Sequence, residues 1–267
     1  MRLALARRMP STASLDRLAA GKRFGRYKSE PHQEVRRPIA KAKTLIEELR
    51  QRREMLRSMD PETAKEVIEF HKGLNFFQAL ALAKQEGRLI VPNDVHEGIL
   101  TKTEDEQYLK QNYPVWTGTL VIYEAPDKPF GEKVVFSFFR WTANKINHSV
   151  SFEVPKQFRG KANCALVIEH PDFDLVDLGN NRYEIKAAEG IHIMKQFPKR
   201  SDWYLLHAET MIPQGKQVDN SEKARYFYRD DNSYLGFLVR LVHEYHIRRP
   251  DVSAYCDLFD NFGVALF

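Results

Sequence analysis

The sequence predicts an α+β protein in which a helical N-terminal region is followed by a β-rich domain. Two observations lead to this prediction. Residues 39–112 carry apolar side chains at helical spacing, together with residues that start and stop helices. From Tyr113 onward the chain consists of short β-branched or aromatic runs bounded by Pro, Gly, Asn and Asp. We therefore divide the chain into residues 1–38, 39–112 and 113–267.

The overall composition is that of an ordinary folded domain. The 267 residues are 43% hydrophobic and 29% charged, and a chain of this length can bury a substantial core. No run of about eighteen apolar residues is present, and Arg7 and Arg8 interrupt the apolar start before it resembles a secretory signal. Cys164 and Cys256 are too far apart in sequence for a Cys-x-x-Cys motif. These features favour a cytoplasmic protein with free thiols and no membrane insertion; a mitochondrial transit peptide is the less favoured alternative for the basic start.

The positive charge of the chain is concentrated at its N-terminus. Residues 1–43 hold twelve Lys or Arg against three acids, so this segment carries +9 while the whole chain carries +5. Residues 1–38 show no sustained apolar period, which predicts a mostly disordered basic arm. Within this arm, residues 21–28 interleave cations with aromatic rings, a pattern that can neutralise phosphates and stack on bases. The candidate nucleic-acid-binding residues are Lys22, Arg23, Phe24, Arg26, Tyr27 and Lys28. A solvated, solubilising tail is the alternative interpretation.

Three helices are predicted between residues 39 and 112. The first covers residues 41–57, where apolar side chains recur at helical spacing among dense charges. The second begins at Asp60-Pro61-Glu62, an N-cap followed by a first-turn proline, and is expected to end near Gly73. The third begins at Asn75 and ends at Gly87. Shorter helical pieces are expected after Asp94 and Thr103.

The β-rich domain, residues 113–267, is predicted from eleven short runs that have strand composition. Turn residues such as those at 125–127 and 179–181 separate them. The runs are WTGTLVIYE, EKVVFSFF, VSFEV, NCALVIEH, FDLVDL, RYEIKA, IHIM, ARYFYR, YLGFLVR, DVSAYC and NFGVALF.

No segment carries a recognised catalytic motif, so neither enzymatic activity nor a cofactor is predicted. The histidines of His243-Glu244-Tyr245-His246 are three residues apart, whereas the zinc-protease motif needs four to place both imidazoles on one helical face. Residues 169–174 (EHPDFD) offer carboxylates and an imidazole that can coordinate a divalent cation. A turn between two strands favours the same residue types for backbone reasons, and we assign no metal site.

The last 43 residues, 225–267, have an unusual composition. They contain no Lys, Gln, Trp or Met and a single Glu, Glu244, whereas the first 224 residues contain 38 of those four types. At that density about seven would be expected in the tail. The same tail holds ten Phe or Tyr among short polar residues, which is the composition of a binding surface.

This tail resembles the variable segment of the target proteins of diversity-generating retroelements. In that family, a reverse transcriptase randomises adenines in a template that is often rich in AAC or AAT codons. Substitution at the two adenines of such a codon cannot produce Lys, Glu, Gln, Trp or Met, which is the set missing from residues 225–267 apart from Glu244. The resemblance implies a C-type-lectin-like fold for the β-rich domain, with a late G-[FV]-x-[VL]-R strand and a final Gly-Val strand building its core.

The resemblance also implies which tail residues vary and which are fixed. The implied variable, ligand-binding positions are Asp230, Asp231, Asn232, Ser233, Tyr234, His243, Tyr245, His246, Tyr255, Asp257, Phe259, Asp260 and Asn261. The implied scaffold positions are Arg225, Gly236, Val239, Arg249, Pro250, Gly263 and Val264.

The expected function is therefore non-catalytic binding of a protein or a surface ligand by a hypervariable C-terminal surface. The alternative is a nucleic-acid-associated or assembly protein that acts through the basic arm, residues 1–38. Such binding would depend strongly on salt, because cations released from the nucleic acid drive it. The sequence leaves the ligand and the oligomeric state undetermined.

Overall fold

A mostly helical segment precedes a β-rich one, which confirms an α+β protein. The computed structural model describes residues 39–103, 108, 114–140, 146–187, 189–219, 224–228, 234–241, 251–255 and 262–267. The described residues from 40 onward belong to one compact unit. In the described part of the chain the helices are α1 (Ile39–Ser58), α2 (Pro61–Val67), α3 (Phe76–Glu86) and α4 (Asn93–Thr103).

Strands account for most of the described residues after α4, and one further strand lies between α2 and α3. They are β1 (Glu69–Leu74), β2 (Val115–Tyr123), β3 (Lys133–Arg140), β4 (Ile146–Glu153), β5 (Cys164–Glu169), β6 (Asp174–Asp177), β7 (Arg182–Lys186), β8 (His192–Lys195), β9 (Asp202–Leu206), β10 (Pro213–Gln217), β11 (Ala224–Tyr228), β12 (Tyr234–Leu241), β13 (Asp251–Tyr255) and β14 (Phe262–Leu266). Each of the eleven runs predicted from the sequence overlaps one of these strands.

The strands form two sheets. The larger one has the order β1-β14-β2-β12-β13-β11-β9-β10, and β5 joins it by pairing with β2 and β8. The smaller sheet has the order β3-β4-β7-β6. One edge of β2 pairs with β12, while β14 and β5 share the other edge, at residues 115–116 and 119–123 respectively. β2 is therefore the central strand of the fold.

Strand β2 is buried on both faces because two apolar clusters pack against it. On one face Trp116, Leu120 and Ile122 contact α3 and the smaller sheet. On the other face Val121 and Tyr123 belong to an apolar cluster with side chains from β5, β8, β9 and β11. All five side chains are fully buried. A large apolar side chain stabilises the fold by about 1.5–3 kcal/mol when it is fully buried, so β2 contributes much of the stability of the larger sheet.

Gly118 lies where the edge of β2 passes from β14 to β5. Its N–H donates to the Val91 carbonyl at 2.8 Å, and its own carbonyl accepts from the N–H of His170 at 2.8 Å. A Cβ at Gly118 would lie 2.3 Å from the carbonyl oxygen of Ile90. Glycine is required here because backbone from outside the strand packs directly against it.

The predicted caps of α2 and α3 are confirmed. The Asp60 carboxylate accepts from the N–H of Glu62 at 3.1 Å. The side chains of Asn75 and Gln78 form a reciprocal capping box, with N–H to oxygen distances of 2.9 and 3.0 Å. Gly87 ends α3 in the left-handed conformation, at φ 61°. Local side-chain to backbone bonds account for these positions, so sequence alone locates them.

The predicted end of the second helix is wrong. That helix was expected to reach Gly73, but α2 ends at Val67, and residues 69–74 form strand β1. β1 pairs antiparallel with β14, with Glu69 opposite Leu266 and His71 opposite Val264. A ladder to the other end of the chain therefore overrides the local helical pattern.

Candidate functional site

The C-terminal segment lies at the centre of the larger sheet. β14 pairs with β1 and β2, β12 pairs with β2 and β13, and β11 pairs with β13 and β9. All four strands of this segment consequently have a partner on both sides. The tail is thus a structural component of the domain as well as its compositionally unusual end.

Two of the predicted ligand-binding residues lie on described strands. Tyr234 is the first residue of β12 and pairs with Tyr123, and Tyr255 is the last residue of β13 and pairs with Phe237. The other predicted positions of the tail lie outside the described residues: Asp230, Asp231, Asn232, Ser233, His243, Tyr245, His246, Asp257, Phe259, Asp260 and Asn261. The arm residues Lys22, Arg23, Phe24, Arg26, Tyr27 and Lys28 also lie outside them.

Most of the predicted scaffold residues lie on the tail strands. Arg225 is on β11, Gly236 and Val239 are on β12, and Gly263 and Val264 are on β14. Val264 is fully buried. Arg249 and Pro250 fall outside the described residues.

Arg225 joins the start of the tail to helix α4 through a buried ion pair. Its Nη2 donates to Oε1 of Glu97 at 2.5 Å, and its Nη1 donates to the carbonyl of Ala224 at 2.9 Å. The Arg225 and Glu97 side chains are only 6% and 1% exposed. The sequence offers no signal for this pair, because 128 residues separate its members.

A second polar cluster connects α1 to the segment that follows β5. Arg50, Arg53 and Arg57 lie on one face of α1, since their spacing of three and four residues matches the helical repeat. Arg50 Nε donates to Asp172 Oδ1 at 2.6 Å, and Arg53 Nη1 donates to Asp172 Oδ2 at 2.9 Å. Charge-assisted hydrogen bonds to buried carboxylates therefore fix this face of α1 against the β-rich part of the fold.

The carboxylates of residues 169–174, weighed above as a cation site, contact basic side chains. Glu169 and Asp172 contact the arginines of α1, and Asp174 pairs with Lys84. Among the residues that the structure describes, no group of three or more His, Cys, Asp or Glu is arranged to hold a metal ion. The arginine spacing on α1 was visible in the sequence, but its partners Glu169 and Asp172 are more than 100 residues away.

His170, in the same segment, is buried and neutral. Its Nδ1 accepts a hydrogen bond from the N–H of Ile90 at 3.2 Å. Burial lowers the pKa of this imidazole to about 4, and the positive charges of Lys84 and Arg53 act in the same direction. His170 thus fixes the backbone of Ile90 next to Gly118.

An open cleft of about 820 Å³ lies beside the arginine face of α1. Its lining comes from α1, α2, α4, β5, β8 and the turn at residues 207–211. Asn93 holds that turn, because its Nδ2 donates to the carbonyls of Thr210 and Met211 at 3.1 and 2.9 Å. The cleft therefore has walls from both the helical and the β-rich parts of the fold. Its volume falls within the range of small-molecule sites.

Arg57 bridges two carboxylates in the wall of this cleft. Its Nε donates to Asp94 Oδ2 at 2.6 Å, and its Nη2 donates to Glu169 Oε1 and Oε2 at 2.7 and 2.6 Å. Burial raises the pKa of the Glu169 carboxyl and the charge of Asp94 raises it further, while Arg57 opposes both effects. Burial also disfavours the charge of Arg57, but its hydrogen bonds to Asp94 and Glu169 and the negative charges of both carboxylates together outweigh this and raise the pKa of the guanidinium.

Comparison with known proteins adds no family assignment. No protein-family profile, curated protein sequence or solved structure matches the chain. No helix in the described part of the chain is both long and apolar enough to span a membrane.

Proposed function

We propose that this chain is a non-catalytic binding protein in which residues 225–267 form a retroelement-diversified, ligand-binding surface on a lectin-like domain. The observation that carries the proposal is the composition of those residues, which lack Lys, Gln, Trp and Met and contain one Glu. Substitution at the adenines of AAC or AAT codons accounts for the absence of Lys, Gln, Trp and Met and for the scarcity of Glu. Glu244 is the one exception. Ordinary surface preference does not account for this pattern, because Lys, Glu and Gln are normally frequent on surfaces.

The distribution of the tail residues over the strands supports this proposal. Positions expected to be fixed lie on paired strands, as Arg225, Gly236 and Val264 do. Eleven of the thirteen positions expected to vary fall, in sequence, between β11 and β12, between β12 and β13, or between β13 and β14. A segment can tolerate diversification only if its variable positions are separate from those that pair and pack.

The strand order is compatible with the lectin-like part of the proposal. The resemblance expects a late Gly-containing strand and a final Gly-Val strand to build the core. β12 pairs with the central strand β2 along most of its length, and β14 pairs with both β1 and β2. The C-terminal strand therefore has a partner on both sides within the larger sheet. Such paired strands could support a diversified segment.

The composition of the predicted surface favours binding over catalysis. Tyr and Phe provide large contact areas at low cost in conformational entropy, whereas Asp, Asn, Ser and His adapt their hydrogen bonds to different partners. Three Tyr and one Phe are among the thirteen predicted positions. Such a surface can accept different ligands in different variants while the supporting strands stay constant.

The diversification itself is tested at the level of the gene. We expect a near-copy of the codons for residues 225–267 beside a reverse-transcriptase gene, differing from the coding copy only where the template has adenine. Codon 244 should be identical in the two copies and should not be among the codons that differ by adenine substitution. A neighbourhood without such a copy, or with differences spread over all four bases, would refute diversification.

The separation of variable and fixed positions predicts a difference in tolerance. Asn232→Tyr, His243→Asn, Tyr245→Asp and Asp260→Tyr should each change the free energy of unfolding by less than about 0.5 kcal/mol, as exposed positions do. Val264→Ala, the matched control in a fully buried tail position, should cost about 2 kcal/mol by leaving a cavity. Urea denaturation followed by circular dichroism measures both. Losses at the predicted variable positions that equal the loss at Val264 would contradict the surface assignment.

A further inference from the structure

The cleft beside α1 has an excess of negative charge. Among the described residues its lining holds four carboxylates and one guanidinium, whose formal charges sum to −3: Glu54, Asp94, Glu169, Glu209 and Arg57. Arg53, outside this lining, also pairs with Glu54 and Glu169 and offsets part of that charge. Asp94 and Glu169 lie deep in the wall, with side chains 10% and 8% exposed, whereas the Glu54 side chain is 63% exposed. A cleft with walls of one sign focuses the field and attracts ligands of the opposite charge.

The one guanidinium among the described lining residues, that of Arg57, already binds protein carboxylates. Arg57 Nε contacts Asp94, its Nη1 donates to Glu54 Oε1 at 3.0 Å, and its Nη2 contacts both oxygens of Glu169. Every guanidinium nitrogen thus already has an acidic acceptor. An anionic ligand would have to displace one of these bonds while facing three or more carboxylates, so the cleft is unsuited to anions.

One oxygen in the wall has an unused capacity to accept a hydrogen bond. Asp94 Oδ2 accepts from Arg57, but Asp94 Oδ1 is buried and has no hydrogen-bond partner in the described structure. Leaving a buried acceptor unsatisfied costs about 1–3 kcal/mol. A donor that entered the cleft next to Asp94 would recover part of that cost.

The remaining lining is largely apolar. It includes side chains from α1, α4 and β8, of which Leu56, Val95, Ile99 and Met194 are almost fully buried. Other apolar side chains of the lining, such as Ile193 and Met211, are partly exposed and give the cleft an apolar surface beside its carboxylates. A ligand that matched both features would carry a cationic head and a short hydrocarbon body.

We propose that this cleft is a binding site for a small organic cation, a primary alkylammonium, whose ammonium group contacts Asp94 and Glu169 and whose alkyl chain lies along α4 and β8. None of the described lining residues belongs to the C-terminal segment 225–267. The described lining would therefore be common to all variants of the proposed diversified surface.

The charge selectivity is tested by titrating the full chain with hexylammonium chloride, 1-hexanol and sodium hexanoate in low-salt buffer by isothermal calorimetry. These probes share one alkyl chain and differ in the charge of the head. Hexylammonium should bind at least tenfold more tightly than 1-hexanol, and hexanoate should show no binding. Equal affinity for the amine and the alcohol, tighter binding of hexanoate, or no binding of hexylammonium would overturn the proposal.

The location is tested by filling the cleft at Gly98, a lining residue on α4. A Cβ at this position would meet no atom within 4 Å, so Gly98→Leu should fold normally and should reduce hexylammonium affinity at least tenfold. Unchanged affinity in this variant would show that the amine binds elsewhere, against the proposal.

The role of the acidic wall is tested by Asp94→Asn, which keeps the size of the side chain and removes its charge. Hexylammonium affinity should fall about tenfold, while Asp174→Asn, the matched control in an ion pair outside the lining, should leave it unchanged. Equal effects of the two variants would overturn the assignment of Asp94. If Asp94→Asn does not fold, Gly98→Leu still decides the location.

Discussion

Replacing Arg225 by methionine should lower the free energy of unfolding by about 3–5 kcal/mol, the usual cost of removing one partner from a buried ion pair. The Glu97 side chain is only 1% exposed, and its carboxylate would lose the ion pair with the Arg225 guanidinium. Urea denaturation at pH 7, followed by tryptophan fluorescence, measures the change.

Two further variants separate the buried pair from a general effect of charge. In the double variant Glu97→Met, Arg225→Met, most of the stability should return, because no isolated charge is left in the core. Lys84→Met breaks an ion pair whose side chains are 51% and 47% exposed, and it should cost less than about 1 kcal/mol. A single Arg225→Met variant as stable as the Lys84→Met control would show that the pair is not buried in solution.

This result bears on the proposed function because Arg225 is the first residue of the tail. It links β11 to α4, and α4 also supplies Asp94 and Gly98 to the cleft. A retroelement that changed Arg225 would destabilise the whole domain. We therefore expect codon 225 to be constant among variants of this gene.

Acidification should destabilise the protein through His170, with a loss of about 3 kcal/mol between pH 6.5 and pH 4. Burial lowers the pKa of this imidazole to about 4 in the folded protein, compared with about 6.5 in the unfolded chain. Between these values the unfolded chain binds a proton that the folded protein does not, so the free energy of unfolding falls as the pH falls. The contribution is fully present above pH 6.5 and is lost by about pH 4.

The matched comparison is His170→Asn, which keeps a side-chain acceptor near the Ile90 N–H and removes the titration. Four charged groups act on His170: Lys84 and Arg53 lower its pKa, whereas Asp172 and Asp174 raise it. Carboxyl groups also titrate in this pH range, but they are present in both proteins. The difference in unfolding free energy between wild type and variant should therefore change by about 3 kcal/mol over this range. Parallel pH profiles would contradict a buried, neutral His170.

Sequence patterns located the elements whose signals are local. The boundaries of α3 follow from the Asn75 capping box and the left-handed Gly87, because both use bonds within a few residues. The run WTGTLVIYE predicted a strand, and Val115–Tyr123 is the central strand β2. Strand β1 was missed because its partner β14 lies almost 200 residues away.

The two candidate sites also differ in whether the sequence alone reveals them. The unusual composition of residues 225–267 is a property of the sequence alone, and no coordinate is needed to observe it. The cleft, in contrast, combines Arg57, Asp94 and Glu169 from α1, α4 and β5. No spacing rule joins residues from three separate elements, so their meeting depends on how those elements pack.

By itself, the sequence determined the α+β class, the helix caps, most of the strands and the composition of the C-terminal segment. These are properties of single residues or of neighbours, for which backbone conformation and burial preference suffice. Only the tertiary structure decided that the last strand pairs with the first, that Arg225 is neutralised by Glu97, and that an acidic cleft forms beside α1. Those features require contacts between distant segments, which form only where packing of the whole domain compensates for the entropy of bringing them together.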